Sequence, residues 1–192
     1  HWPRICGLDF GWDHPTAACW FAWDRDADVV YLYDCYSQSK ATAVIHSDAI
    51  RKRGSIPVAW PKDGLQSDKG SGIGLAEQYR EQGIDMLPEW FKNAPSVSDH
   101  KGVANAIEPG IQELYQRMEN GTFKVFSHLT EWFTEFRTYH RDDGKIVAKK
   151  DDLMSATRYG ACSLRFAMCV AEDSYSYSGK IEYNSLGPGY DG

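Results

Sequence analysis

Acidic residues recur at three points of the sequence where a strand ends or a helix begins. Asp9 follows an apolar run in GLDFG, Asp63 follows VAWPK, and the pair Asp151 and Asp152 opens the segment DDLMSATRYG. Three carboxylate positions without a neighbouring histidine or cysteine cluster are typical of a site for hard divalent cations such as Mg²⁺ or Mn²⁺. Such a site suits the metal-assisted cleavage of a phosphodiester bond.

Each aspartate also has an ordinary structural role open to it. Asp9 could cap the turn that follows, yet it lies in a predicted buried strand, where an unpaired charge is costly. Asp63 begins an Asp-Gly dipeptide, which is common in turns. Asp151 and Asp152 would both favour a helix N-terminus, although one aspartate is enough for that purpose. A layered fold that brings all of them to one edge therefore favours the metal site.

The composition describes an ordinary globular domain with an acidic balance. The 192 residues are 42% hydrophobic and 25% charged, and the net charge is −6. No apolar stretch approaches the roughly 18 to 20 residues that span a bilayer, so no membrane contact is predicted. A negative charge is the opposite of what a DNA-binding enzyme usually shows. We expect bound metal ions and a tethered DNA-binding domain to offset it.

The cysteines and the start of the chain indicate its compartment and its origin. Five cysteines, an odd number with no C-x-x-C pair, argue against a zinc site and favour a reducing, cytoplasmic compartment. The chain begins HWPRICGLDF and enters a strand almost at once, without a signal-peptide pattern. This start predicts a fragment cut from a longer protein at a domain boundary.

The elements that must position the aspartates are predicted in the order β-β-β-α-β-α, followed by further helices. Apolar and β-branched runs over 4–10, 16–23 and 29–36, joined by short turns, predict an antiparallel meander. A helix over 41–53 then leads to a strand over 56–60. Because a crossover connects this strand to the meander, we expect it to pair parallel with the first strand.

This order predicts the α/β class, with an RNase H-like (resolvase- or integrase-type) mixed central sheet flanked by helices. We expect the domain to cover residues 1–173 and a flexible tail to cover 174–192. The remaining predicted elements are helices over 73–82, 101–119 (with a kink or break at Pro109), 128–139 and 151–172, short strands over 84–87 and 123–126, and a hairpin turn at Asp143-Gly144.

Three motifs resemble the C-terminal nuclease domain of tailed-phage terminase large subunits. They are GLDFGWDHPTA, PKDG around Asp63, and KKDDLMSATRYG, and the resemblance covers about residues 4–170. It implies a two-metal endonuclease that cuts concatemeric viral DNA at the start and end of packaging. It also implies that Asp9, Asp63 and one or both of Asp151 and Asp152 bind the two Mg²⁺ or Mn²⁺ ions. We favour Asp152, and the choice between the two stays open at this point.

The resemblance implies partners as well. They are double-stranded DNA, the ATPase motor domain of the same full-length protein, the portal and the small terminase subunit, in the host cytoplasm and not in the mature virion. The present chain has no G-x-x-x-x-G-K-[ST] phosphate loop, since the glycine-rich run at 70–74 lacks the Lys-Ser/Thr ending. It therefore corresponds to the nuclease half alone.

Basic side chains near these motifs are candidates for holding the DNA backbone, and the hairpin near 140–147 is a candidate guide for DNA. Arg158 and Arg165, further along the last helix, suit an approaching phosphate. Contacts to the backbone instead of the bases imply little sequence specificity. The other backbone candidates are Lys62, Lys69, His140, Arg141, Lys149 and Lys150.

Two other functions fit the same sequence. A Holliday-junction resolvase of the same fold would also use four carboxylates. A non-catalytic module that docks on a portal or capsid protein would instead use exposed aromatic side chains. The aromatic candidates for such docking are Trp132, Phe133 and Phe136, with Tyr175, Tyr177 and Tyr183 of the tail.

Overall fold

A computed structural model describes residues 1–67, 72–92, 107–143, 145–147 and 150–170. The predicted meander is confirmed: β1 (Arg4–Asp9), β2 (Thr16–Asp24) and β3 (Val29–Gln38) pair antiparallel in sequence order. The predicted flexible tail over 174–192 lies outside the described residues.

Two further strands complete a mixed sheet of order β4-β1-β2-β3-β5. The short strand β4 (Val58–Ala59) pairs parallel with β1, as its crossover connection predicts, and β5 (Phe123–Val125) pairs parallel with β3. The strand predicted over 84–87 is reduced to one bridge between Val58 and Met86. Pro88 follows at once, and because proline has no N–H to donate, the ladder cannot continue.

Five helices and one hairpin surround the sheet in the described part of the chain. The predicted hairpin is confirmed by antiparallel pairing of Arg141 with Ile146 and of Asp142 with Lys145, while Gly144 lies outside the described residues. Pro109 lies in the first turn of its helix, where its missing N–H has little cost. The elements are α1 (Ala43–Arg51), α2 (Leu75–Glu81), α3 (Glu108–Glu119), α4 (Thr130–Thr138), β6 (Arg141–Asp142), β7 (Lys145–Ile146) and α5 (Asp152–Ala161).

The last helix is shorter than predicted. It ends at Ala161 instead of extending to 172, and a 3-10 turn over Leu164–Phe166 follows. The N–H of Ser163 bonds the carbonyl of Gly160 at 3.0 Å, which tightens the helix end. Beyond the turn, Met168 exchanges two backbone hydrogen bonds with Arg4 of β1, at 2.8 and 3.0 Å. The predicted end was wrong because this pairing with the sheet competes with further helix.

Side chains of the central strands alternate between two buried layers. In β2, Cys19 and Phe21 face a core shared with α4 and α5, whereas Ala18 and Trp20 face a core shared with α1 and α2. A sheet covered on both faces explains why the sequences of β1 and β2 are apolar almost throughout. These features confirm the predicted α/β class, with a mixed sheet flanked by helices.

Candidate active site

Asp9 and Asp63 lie at the C-terminal ends of two neighbouring parallel strands. Asp9 ends β1, and Asp63 lies in a 3-10 turn over Lys62–Leu65 that follows the parallel strand β4. This turn packs closely on Phe10, because a Cβ placed on Gly64 would come within 2.8 Å of the Phe10 ring. Since Phe10 directly follows Asp9, the contact keeps Asp63 close to Asp9.

Helix α5 lies directly on β1 through two glycines. A Cβ on Gly7 would overlap the carbonyl oxygen of Ala156 and come within 2.5 Å of the Gly160 nitrogen. Only glycine permits backbones to approach this closely. The helix therefore sits low on the strand that carries Asp9, and Asp151 and Asp152 come at its N-terminus.

The pKa of Asp9 is affected by the other three aspartates. The pKa of Asp9 is raised from 3.8 to about 8, mainly by burial at the end of β1 and in smaller part by the negative charges of Asp152, Asp151 and Asp63. The cation of Arg158 acts in the opposite direction. The structure thus brings all four predicted aspartates within electrostatic reach of one point.

Asp151 and Asp152 take part in different ways. Asp151 occupies the N-cap position of α5 and Asp152 is its first residue. Both are half-buried, and burial raises the pKa of each, while His14 lowers both. Asp152 acts more strongly than Asp151 on the pKa of Asp9.

The aspartates are close electrostatically without forming a ready-made coordination shell. Among the described residues, no three His, Cys, Asp or Glu side chains form a group close enough to hold one ion. Electrostatic coupling acts over a longer range than a metal–oxygen bond of about 2.0 to 2.6 Å, so the two findings are compatible. The side chains of the site would have to rotate toward a bound cation.

Arg158 is an internal cation and not an exposed phosphate contact. It is 6% exposed, and its guanidinium lies 4.5 Å from the ring centroid of Tyr159 and 5.5 Å from that of Phe91. Its charge lowers the pKa of Asp9 and Asp151. The expectation that Arg158 meets an approaching phosphate is therefore wrong, because the aromatic rings bury it.

Glu135 is a residue of the site that sequence reasoning does not select. It lies on α4, half-buried, and its Oε1 accepts the backbone N–H of Met154 at 2.7 Å. Its pKa is raised to about 7, mainly by burial and also by the negative charges of Asp152 and Asp151. In the sequence, WFTEFRT is an amphipathic helix like many others, so no local signal distinguishes this glutamate.

The basic candidates for DNA contact lie around this site, except Arg165, which lies beyond the far end of α5, where Met168 pairs with Arg4 at the start of β1. Lys62 is exposed beside Asp63, and Lys150 is exposed immediately before the acidic pair. His140 is exposed, with its Nδ1 2.6 Å from the carbonyl oxygen of Thr138. Arg141 forms an exposed ion pair with Glu108 at 2.5 Å, and Arg165 is exposed on the 3-10 turn. Lys69 and Lys149 lie outside the described residues.

The aromatic side chains suggested for docking serve mainly as core. Trp132 is 2% exposed and donates a hydrogen bond to Thr157 Oγ1 at 2.8 Å. Phe133 is half-buried, and Phe136 stacks on Trp132 with its outer part exposed. The tail tyrosines lie outside the described residues. No helix in the described part of the chain is long and apolar enough to cross a bilayer.

Comparison with known proteins identifies the family of this domain. Residues 6–164 match the model of the terminase RNase H-like domain. The large terminase subunit of Salmonella phage P22 is 44% identical over 174 residues, which are 90% of this chain and 34% of the relative. The chain thus spans about a third of the length of the curated relatives it matches.

Solved structures give the same result. The nuclease domain of the P22 large terminase superposes with a TM-score of 0.75 at 44% identity, covering 87% of this chain and 84% of that one. The nuclease domain of the large terminase of bacteriophage SPP1, solved with bound Mn, has a TM-score of 0.60 at 20% identity, over 82% and 84%. The latter likeness shows the RNase H-like fold alone. The family model and the P22 relative together establish that the chain belongs to the terminase RNase H-like domain family.

Proposed function

We propose that this chain is a metal-dependent endonuclease that cleaves concatemeric viral DNA during genome packaging. The observation that carries the proposal is the environment of Asp9. A half-buried carboxylate whose pKa is raised to about 8 by burial and by three other aspartates is a group that a cation would stabilise. Membership of the terminase family supplies the polymer on which such a site would act.

The chemistry of the donors fits Mg²⁺ or Mn²⁺. The coupled groups at this site are carboxylates, and oxygen donors suit these hard cations better than soft or zinc-like ones. The SPP1 nuclease domain, which has the same fold, was solved with bound Mn. Asp9, Asp63 and Asp152, with Asp151 beside them, would hold the two ions.

Bound in this way, two ions would supply an activated water and would stabilise the leaving 3′ oxygen of the phosphodiester. The protein's own part is to hold the carboxylates together against their mutual repulsion. The packing of α5 on Gly7 provides the rigid frame, and the buried cation of Arg158 reduces the excess negative charge. Lys62 and Lys150, exposed next to the acidic residues, are placed to contact the DNA backbone.

We infer the partners from membership of the terminase family. Because the chain spans about a third of the curated relatives, we infer that an ATPase motor domain belongs to the same full-length protein. We further infer that the full-length protein acts on double-stranded DNA with the portal and the small terminase subunit, in the host cytoplasm. Tethering to such partners would hold DNA near an acidic domain that binds it weakly alone.

A plasmid assay tests the activity. Supercoiled plasmid is incubated with the protein and Mn²⁺, Mg²⁺ or EDTA, and the appearance of nicked and linear forms is measured. We expect cleavage with either metal, none with EDTA, and a loss of at least about 100-fold in Asp9→Ala, since the ions supply several kcal/mol and each 1.36 kcal/mol is tenfold in rate. Asp26→Asn is the matched control. Asp26 is exposed in the loop between β2 and β3, which lies at the opposite end of the strands from Asp9.

Two outcomes would contradict the proposal. If Asp9→Ala cleaves as fast as the parent protein, the site is elsewhere or the activity belongs to a contaminant. A synthetic four-way junction assayed beside linear duplex separates the resolvase function from the terminase function. Cutting confined to the junction would favour a resolvase.

A further inference from the structure

The N-terminus of α5 is capped in an unusual way. An aspartate at the N-cap normally turns its carboxylate back to accept the N–H of the second or third helical residue. Asp151 occupies the N-cap position but makes no such side-chain hydrogen bond. The two amides that it would ordinarily satisfy belong to Leu153 and Met154.

A carboxylate from a different helix takes this role. Oε1 of Glu135, on α4, accepts the N–H of Met154 at 2.7 Å. The amide of Leu153 also stabilises the ionised form of Glu135. Glu135 therefore faces both amides that an N-cap aspartate would use, and it brings the negative charge that a helix N-terminus favours.

We propose that Glu135 is a positioning residue: by capping α5 from a neighbouring helix, it leaves the carboxylates of Asp151 and Asp152 free to face Asp9. The inference rests on the proposed metal site and adds a residue to it. Without Glu135, the amide of Met154, which lies in the buried first turn of α5, would lose its acceptor. Asp151 is the nearest substitute in the chain, and turning it onto the helix would withdraw it from the site.

Three substitutions separate this role from its alternatives. Glu135→Gln keeps an oxygen at the same reach and loses the charge. Glu135→Asp keeps the charge and shortens the reach by one methylene, and Glu135→Ala removes both. If hydrogen bonding to Met154 is what matters, Gln retains function whereas Asp and Ala lose it. If Glu135 binds the metal itself or acts by its charge, Gln fails as well.

The binding of Mn²⁺ is measured by calorimetry, alongside plasmid cleavage and thermal unfolding in EDTA. We expect Glu135→Ala and Glu135→Asp to weaken Mn²⁺ binding by about 10- to 100-fold, the usual effect of losing a group that orients a ligand. The Mn²⁺ affinity of Glu135→Gln should stay within about threefold of that of the parent protein. Glu131→Ala is the control, one turn earlier on α4 and exposed, and it should change nothing.

A metal-free crystal structure of Glu135→Ala gives a second, independent readout. We expect an oxygen of Asp151 to lie within hydrogen-bond distance of the Met154 nitrogen. The inference is overturned if Asp151 keeps its place, if Glu135→Ala binds Mn²⁺ like the parent, or if Glu135→Gln loses as much as Glu135→Ala. Should Glu135→Ala fail to fold, the comparison of Gln with Asp still decides.

The failure of this inference is distinguishable from that of the proposed function. A parent protein that binds Mn²⁺ but cuts no DNA would refute the nuclease activity, while the effect of Glu135 on binding and on Asp151 would still stand. Cleavage that depends on Asp9 but is indifferent to Glu135→Ala would refute only the positioning role.

Discussion

Replacing Asp9 by asparagine should stabilise the metal-free protein at neutral and mildly alkaline pH, although it should abolish cleavage. The pKa of Asp9 is raised from 3.8 to about 8 in the folded state. Below about pH 4 the carboxyl is protonated whether the chain is folded or not, so it has no effect. Between about pH 4 and pH 8 the unfolded chain has released this proton and the folded chain retains it, so the stability of the parent falls as the pH rises. Asparagine has nearly the same shape and no charge, so it removes this dependence.

The structure sets the size of the effect. At about 1.36 kcal/mol per pKa unit, the rise from 3.8 to about 8 corresponds to a penalty of at most roughly 5 kcal/mol at pH 8. For a chain of this size, about 1 kcal/mol changes the unfolding midpoint by about 2 to 4 °C. Allowing for side-chain relaxation, we expect Asp9→Asn to unfold at least about 5 °C above the parent at pH 8 in EDTA. At pH 4.5 the penalty falls to about 1 kcal/mol, so the two midpoints should differ by no more than about 2 to 4 °C.

The assay is thermal unfolding in EDTA from pH 4.5 to pH 8.5, repeated at pH 8 with Mn²⁺. Mn²⁺ should raise the midpoint of the parent by more than that of Asp9→Asn, since a ligand stabilises the state that binds it. Asp26→Asn, at the opposite end of the strands, should match the parent at every pH. An Asp9→Asn protein that is no more stable than the parent at pH 8, or whose advantage does not change with pH, would refute the idea that burial and the neighbouring carboxylates disfavour the charged form of Asp9.

Two further substitutions test the frame and the surface of the site. Gly160→Ala should lower the free energy of unfolding by about 1 to 3 kcal/mol in urea denaturation, because its Cβ would overlap the ring of Phe21. The control is Gly74→Ala, which should change this free energy little because the nearest atom lies 3.6 Å from the added Cβ. Lys62→Ala should weaken plasmid binding in EDTA and reduce the slope of log K against log salt by about 0.9, as expected for one lost phosphate contact. Lys52→Ala, exposed at the end of α1, should leave that slope unchanged, and equal slopes for both variants would remove Lys62 from the DNA-binding surface.

The part of the site carried by the sheet could be predicted from the sequence. A crossover connection predicts parallel pairing of β1 and β4, and parallel strands end at the same edge, so Asp9 and Asp63 were expected together. The acidic pair at the start of α5 was expected for a similar reason. These inferences depend on local patterns and on rules of connection, both of which can be read from one sequence.

The parts that could not be predicted depend on tertiary contacts. Glu135 belongs to the site only because α4 packs beside the first turn of α5, and nothing within WFTEFRT indicates that neighbour. Arg158 was expected to face a phosphate, yet the rings of Phe91 and Tyr159 enclose it. The prediction that α5 continues to residue 172 was wrong for the same reason, because a backbone pairing between Met168 and Arg4 follows the helix.

The glycine contact between β1 and α5 has a consequence for how this site tolerates sequence change. The spacing between the strand that carries Asp9 and the helix that carries Asp152 is set where Gly7 meets Ala156 and Gly160 through main-chain atoms. A main-chain contact has no rotamers, so substitutions in the surrounding core can alter packing without changing this spacing. The distance between the carboxylates thus depends on Gly7 and Gly160, which have no side chains. We expect both glycines to be retained in homologues while the apolar side chains around them vary.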